Sequence, residues 1–198
     1  MSRMLAFAAA SAVAIGLGTA GAFVLFGPER SCGGTAIAGG TAAIGGPFTL
    51  VDHTGTTVTD KDVLTGPSLI YFGFTYCPDV CPIDNVRNLE AVDLLKERGI
   101  DVKPVFISID PERDTPEVMA DYIEIMDDSM VGLTGSPEQV AAASKAYRTY
   151  YRKNGEGEDY LMDHSTFSYL VDASGFIDFF KRSDTPEQMA DRIACYVA

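Results

Sequence analysis

The chain has 198 residues, 46% of them hydrophobic, with 15 basic against 28 acidic side chains and a formal net charge of -13. That length and apolar fraction suffice for one domain with a proper core plus some extra length. The negative charge repels nucleic-acid phosphates and anionic headgroups, so nucleic acid is excluded as a partner.

Met4 to Phe26 is 23 residues without a formal charge, about 34 Å long as a helix and enough to cross a hydrocarbon layer about 30 Å thick. Arg3 and the amino terminus precede it, while Glu29 and Arg30 cancel beyond it, which predicts an uncleaved anchor with the rest of the chain exported. A cleaved signal peptide is the competing reading, because Ala20-Gly21-Ala22 resembles a cleavage site. Phe23-Val24-Leu25-Phe26 continues the apolar run past that point. Residues 1–26 are therefore read as a membrane anchor or signal peptide, the Gly/Ala-rich residues 27–46 as a flexible linker, and residues 47–198 as the folded domain. Cys32 in the linker reads as an incidental thiol and Cys195 near the chain end as a small packed hydrophobe, although in an exported protein they can pair.

Within the domain, Phe48 to Asp52 and Thr56 to Thr59 flank His53-Thr54-Gly55, which predicts an N-terminal hairpin with a solvent-exposed histidine at its tip. Leu69 to Phe74 is nearly continuous in apolar residues, as a strand covered on both faces would be. A helix starting near Cys77 and Cys81 carries Val86, Leu89, Val92 and Leu95 on its predicted core side and ends at Gly99. Val102 to Ile109 reads as a second central strand. The acids Asp110, Glu112, Asp114, Glu117, Asp121, Glu124, Asp127 and Asp128 follow, and such a run reads as a solvated helix face. Thr115-Pro116-Glu117, Ser136-Pro137-Glu138 and Thr185-Pro186-Glu187 each combine a capping hydroxyl, proline at the first helical position and an early acid, marking three helix starts. Ser136 with Gln139 and Thr185 with Gln188 fit the capping box. Phe167 to Asp172 and Phe176 to Lys181 bracket Ala173-Ser174-Gly175 as a closing hairpin. This order predicts an α/β domain with a central mixed sheet and helices on both faces.

Chemistry concentrates in Cys77-Pro78-Asp79-Val80-Cys81-Pro82, directly after the first central strand. If both cysteines lie in the first turns of a helix, they project from one face about 5 to 6 Å apart, in reach of one metal ion or of each other. Orphan backbone N–H groups and the positive helix end stabilise thiolate there, which leaves metal binding and redox exchange both open. A third ligand decides between them. His164 lies in Leu161-Met162-Asp163-His164-Ser165, a polar break before the strand starting at Phe167, and faces the cysteine turn if that strand neighbours Leu69 to Phe74. Two thiolates and one imidazole are a soft three-ligand set. It favours Cu(I), with Cu(II) open through the nitrogen, whereas structural zinc ordinarily takes a fourth protein ligand.

The chain resembles the SCO/SenC family, thioredoxin-fold copper proteins of cytochrome c oxidase assembly. The resemblance rests on Gly46-Pro47-Phe48-Thr49-Leu50, Asp52-His53-Thr54-Gly55, Tyr71-Phe72-Gly73-Phe74-Thr75-Tyr76-Cys77-Pro78-Asp79-Val80-Cys81-Pro82, the stretch from Val105 to Pro116, Gly132-Leu133-Thr134-Gly135 and Asp163-His164-Ser165. It implies a thioredoxin-like three-layer domain and ligation of one copper per chain by Cys77, Cys81 and His164. It further implies an upstream copper donor, delivery to the binuclear CuA centre of oxidase subunit II, and a single-pass inner-membrane protein whose domain faces the periplasm. The rival is a membrane-tethered thiol-disulfide oxidoreductase acting on the recipient's cysteines. Against it, three residues separate Cys77 from Cys81, and no proline lies between Pro137 and Pro186. By resemblance to thioredoxins, such a reductase would place a cis proline opposite its cysteines, where this chain has His164-Ser165-Thr166.

Overall fold

An apolar run such as Leu69 to Phe74 needs cover on both faces, and the fold supplies it. The computed structural model describes residues 32–34 and 44–197. The anchor reading of residues 1–26 and most of the linker reading fall outside them. Among the described residues no helix is long and apolar enough to cross a membrane.

The strands are β1 (Thr49–Asp52), β2 (Thr57–Thr59), β3 (Ser68–Gly73), β4 (Lys103–Ser108), β5 (Val131–Thr134), β6 (Tyr151–Asn154), β7 (Leu161–His164), β8 (Ser168–Asp172) and β9 (Gly175–Phe180). The helices are α1 (Asp60–Val63), α2 (Val80–Glu97), α3 (Pro116–Met126), α4 (Pro137–Ala146) and α5 (Pro186–Val197). Among the described residues seven strands form one mixed sheet in the order β2-β1-β5-β4-β3-β8-β9, and β6 pairs only with β7 in a separate ribbon. β3, β4 and β5 run parallel, β1 and β8 run antiparallel to their inner neighbours, and the hairpins β1–β2 and β8–β9 close the two edges. The expected mixed sheet with helices on both faces is therefore present.

Side chains alternate across each strand. On β3, Leu69 packs with Ala91 and Leu95 of α2 and Met189 and Ile193 of α5. Tyr71 stacks on Phe106, which stacks on Tyr122 of α3. On the opposite face, Phe72 meets Tyr147 at the end of α4 and Tyr169 of β8. Gly132 of β5 is required for the close approach of α3, since a Cβ there would lie 2.5 Å from Met119 Cγ and 2.9 Å from Ile123 Cγ1. The helix starts follow the capping signals. Gln139 N–H donates to Ser136 Oγ at 3.3 Å while Gln139 Oε1 accepts from Ser136 N–H at 2.7 Å, and Gln188 with Thr185 repeats the pattern.

The structure departs from expectation in four places. Val86 is 47% exposed and Leu89 only partly buried. The inner face of α2 is instead Cys81, Asp84, Asn85, Arg87, Asn88, Ala91, Val92 and Leu95. Its polar half is held by hydrogen bonds. Tyr71 OH donates to Asp84 Oδ2 at 2.9 Å, Arg182 Nε to Asp84 Oδ1 at 3.1 Å, Arg87 to Lys181 O and Ser168 Oγ, and Asn85 to Tyr122 OH. Second, α1, β5 and the β6–β7 ribbon were not anticipated. Third, His53 is half-buried rather than solvent-exposed, because its Nδ1 accepts from Gly132 N–H at 3.2 Å and its own N–H donates to Gly132 O.

Fourth, the acidic run divides. Glu117, Asp121, Glu124 and Asp128 are exposed, but Asp110 and Asp114 are buried. Asp114 accepts from Thr75 N–H, Thr75 Oγ1 at 2.7 Å and Ser108 Oγ at 2.6 Å, and Asp110 accepts from Arg113 Nε and Tyr160 OH, both at 2.6 Å. Desolvation raises the Asp114 pKa above the usual carboxylate range, against these hydrogen bonds. Removing the Asp114 carboxylate strands three donors, so Asp114→Ala should destabilise the protein by about 2–4 kcal/mol. Chemical denaturation with far-UV detection checks this. The exposed Asp121→Ala should stay within about 0.5 kcal/mol of the parent, and equal losses for the two variants would contradict the buried network.

Candidate metal centre

β3 ends at Gly73, where the chain turns with Cys77 N–H donating to Phe74 O at 3.3 Å. α2 begins at Val80, and Asp79 at its N-cap provides no side-chain cap. Cys81 N–H, one of the helix's orphan donors, goes to Cys77 Sγ at 3.3 Å. Cys77 therefore precedes the helix instead of lying on it, and its sulfur takes the place of the missing cap acceptor.

Cys77 is half-buried and Cys81 buried, and both thiols are free. Cys32 and Cys195 are each disulfide-bonded, which replaces their readings as an incidental thiol and a packed hydrophobe. The hydrogen bond from Cys81 is the main force lowering the Cys77 pKa to about 4. The backbone N–H groups of Asp79 and Cys81 add to it, and partial burial opposes it. The same hydrogen bond with Cys77, followed by desolvation, pushes the Cys81 thiol far up. The pair thus holds one thiolate and one proton at neutral pH. Gly73 makes room for this, since a Cβ on it would lie 3.0 Å from Cys81 Sγ and 2.8 Å from Phe106.

The strand register delivers His164. β8 lies antiparallel to β3 with Ser168 opposite Tyr71, so the chain four residues earlier has passed the end of β3 and stands level with the cysteine turn. His164 Nε2 lies 3.4 Å from Cys81 Sγ. Its Nδ1 lies 2.8 Å from Ser165 O, and because a carbonyl only accepts, Nδ1 carries the proton and the Nε2 lone pair faces the sulfur. Tyr71 and Phe74 hold the imidazole edge-on, with ring centres 6.2 and 6.0 Å away. The structure brings Cys77, Cys81 and His164 together, with ligand atoms all within 4.8 Å of one another.

Around them stand residues the sequence reading did not single out. Arg113 lies over Tyr76, beside Cys77, at 4.7 Å from the ring centre, and over Tyr160 at 3.6 Å. Its Nη1 donates to Glu158 O at 3.1 Å. Asp110 anchors Arg113 and Tyr160, and Asp114 anchors Thr75 in the cysteine turn. Their signal was the pair of acids four apart immediately after an apolar strand, with an arginine between them.

A model described as SCO1/SenC matches residues 37–198. Protein SenC of Rhodobacter capsulatus is 52% identical over 202 residues, covering 99% of this chain and 91% of that protein. The mitochondrial SCO1 homolog 1 of Arabidopsis thaliana is 42% identical over 157 residues, covering 78% of this chain but 47% of that longer protein. The crystal structure of Arabidopsis thaliana ScoI with copper bound is similar at a TM-score of 0.75 and 40% identity, over 78% of this chain and 98% of that one. This chain belongs to the SCO1/SenC family.

Proposed function

We propose that the domain is a copper carrier in which Cys77, Cys81 and His164 hold one Cu(I) for delivery to the CuA site of cytochrome c oxidase subunit II. In this reading the N-terminal segment tethers it to the bacterial inner membrane, with the domain facing the periplasm. One observation carries the proposal: the two sulfurs and one imidazole nitrogen converge in a group that, among the described residues, includes no further histidine, cysteine or carboxylate. A soft set of three suits Cu(I) and leaves the metal able to accept a ligand from a recipient before leaving its own. The copper-bound Arabidopsis relative supports the choice of metal, and the family resemblance supports the recipient.

The chain's own groups have distinct parts. Cys77, already thiolate and half-exposed, is the sulfur an incoming donor meets. Cys81 gives up its proton on binding, and His164, oriented by Ser165 O, completes the set. Thiol-disulfide exchange is the second reading, favoured by the Cys77 thiolate at neutral pH.

Cys77→Ser with Cys81→Ser should abolish Cu(I) binding. His164→Ala should weaken it by more than about tenfold, the least that disturbing even a partner of a ligand costs. Competition titration against a chromophoric Cu(I) chelator reads both, and an unchanged affinity without His164 would remove the imidazole from the set. In the reduced metal-free protein, iodoacetamide should modify Cys77 ahead of Cys81. Because the Cys77 pKa is lowered to about 4, its rate should hold from pH 8 to pH 5 and fall only below that, as peptide mapping would show. A tenfold loss per pH unit already between pH 8 and 7 would mean an ordinary thiol. Incubation of the reduced protein with an oxidised soluble CuA domain, without copper, separates the two functions. A carrier leaves that disulfide largely intact over the time in which it loads copper into a reduced domain, and rapid stoichiometric reduction would favour the enzyme reading.

A further inference from the structure

The third ligand is carried on an element outside the main sheet's ladder. Among the described residues β7, which ends at His164, bonds only to β6, and a lone two-stranded ribbon is marginal in water. Side-chain contacts must therefore fix its place. Near the turn, Tyr151 and Met162 pack partly buried against the core. At the far end the fastening is concentrated on Tyr160, a 4% exposed side chain in the loop between β6 and β7. Its hydroxyl donates to the buried Asp110 at 2.6 Å. Arg113 lies 3.6 Å and Lys153 3.7 Å from its ring centre. Two cations cannot share one ring face at that distance, so the ring is sandwiched. Asp110 and Glu112 pair with Arg113 and Lys153, at 2.6 and 3.0 Å, which offsets the mutual repulsion of the two cations. Arg113 also covers Tyr76 next to Cys77, so one guanidinium joins the cysteine turn to the ribbon.

We propose that Tyr160 is a positioning residue, a latch that holds the β6–β7 ribbon against the Asp110–Arg113 segment and thereby sets the reach of His164 to the two sulfurs. This rests on the copper reading for its consequence, but the latch itself is a property of the metal-free protein.

The test uses the full chain. Tyr160→Leu removes ring and hydroxyl together, and Tyr160→Phe removes the hydroxyl alone. In metal-free Tyr160→Leu, amide hydrogen exchange in β6 and β7 should rise by about tenfold or more while β3 and β4 keep their protection. Cu(I) affinity should fall by about ten- to hundredfold, and the nitrogen hyperfine coupling in the paramagnetic resonance spectrum of the Cu(II)-loaded protein should weaken. Tyr160→Phe, which keeps the cation sandwich, should recover most of each effect. Unchanged ribbon exchange together with an unchanged nitrogen signature in Tyr160→Leu would overturn the latch. If that variant does not fold, the double variant Tyr160→Phe with Lys153→Gln, which removes the hydroxyl bond to Asp110 and one of the two cations, decides, with faster ribbon exchange supporting the latch and parental exchange overturning it. Failure of the parent protein to bind copper would instead overturn the carrier reading, while the exchange experiment would still read the latch.

Discussion

Two buried carboxylates, Asp110 and Asp114, hold the two halves of the site to one frame. A buried carboxylate is tolerated only when its lone pairs are met, and here the groups that meet them belong to the functional loops. Asp114 takes its hydrogen bonds from Thr75 and Ser108, which fastens the cysteine turn to the end of β4. Asp110 takes its own from Arg113 and Tyr160, which fastens the ribbon that carries His164. Three segments far apart along the chain are referred to the same few residues after a central parallel strand.

The thiols depend on that frame. A helix start with no side-chain cap leaves backbone donors in need of an acceptor, and Cys77 fills the need with sulfur. The arrangement polarises the pair, one sulfur charged and half-open, the other protonated and buried against Gly73. His164 faces the enclosed sulfur through the nitrogen that carries no proton.

Much of this was legible in the sequence. The central strands announced themselves by continuous apolar runs, and the starts of α3, α4 and α5 by hydroxyl-proline-acid triplets whose hydrogen bonds the structure contains. The meeting of His164 with the cysteine turn followed from supposing β8 beside β3, and the register of Ser168 with Tyr71 shows that adjacency. What escaped was polar. β6 is Tyr151-Arg152-Lys153-Asn154, mostly exposed, and its strand conformation comes from pairing with β7, without alternation to betray it. Asp110 and Asp114 were hidden among eight acids, since composition cannot separate a solvated carboxylate from one enclosed by hydroxyls. Val86 fell on the expected apolar side of α2, but Asp84, Arg87 and Asn88 took the inner face because hydrogen-bond partners on β3, β8 and the chain after β9 were waiting for them.

That inner face of α2 has a consequence for how finely Cys81 is placed. A helix packed through aliphatic side chains alone can slide along a sheet at modest cost, since one methyl contact replaces another. Sliding α2 by one turn, about 5.4 Å, would set Val80 or Asn88 opposite the Tyr71 hydroxyl and leave Asp84 and Arg87 enclosed without their complements. The helix therefore has a single longitudinal setting, and the height of the Cys81 sulfur above the sheet is indexed by carboxylate, amide and guanidinium groups that never touch the metal.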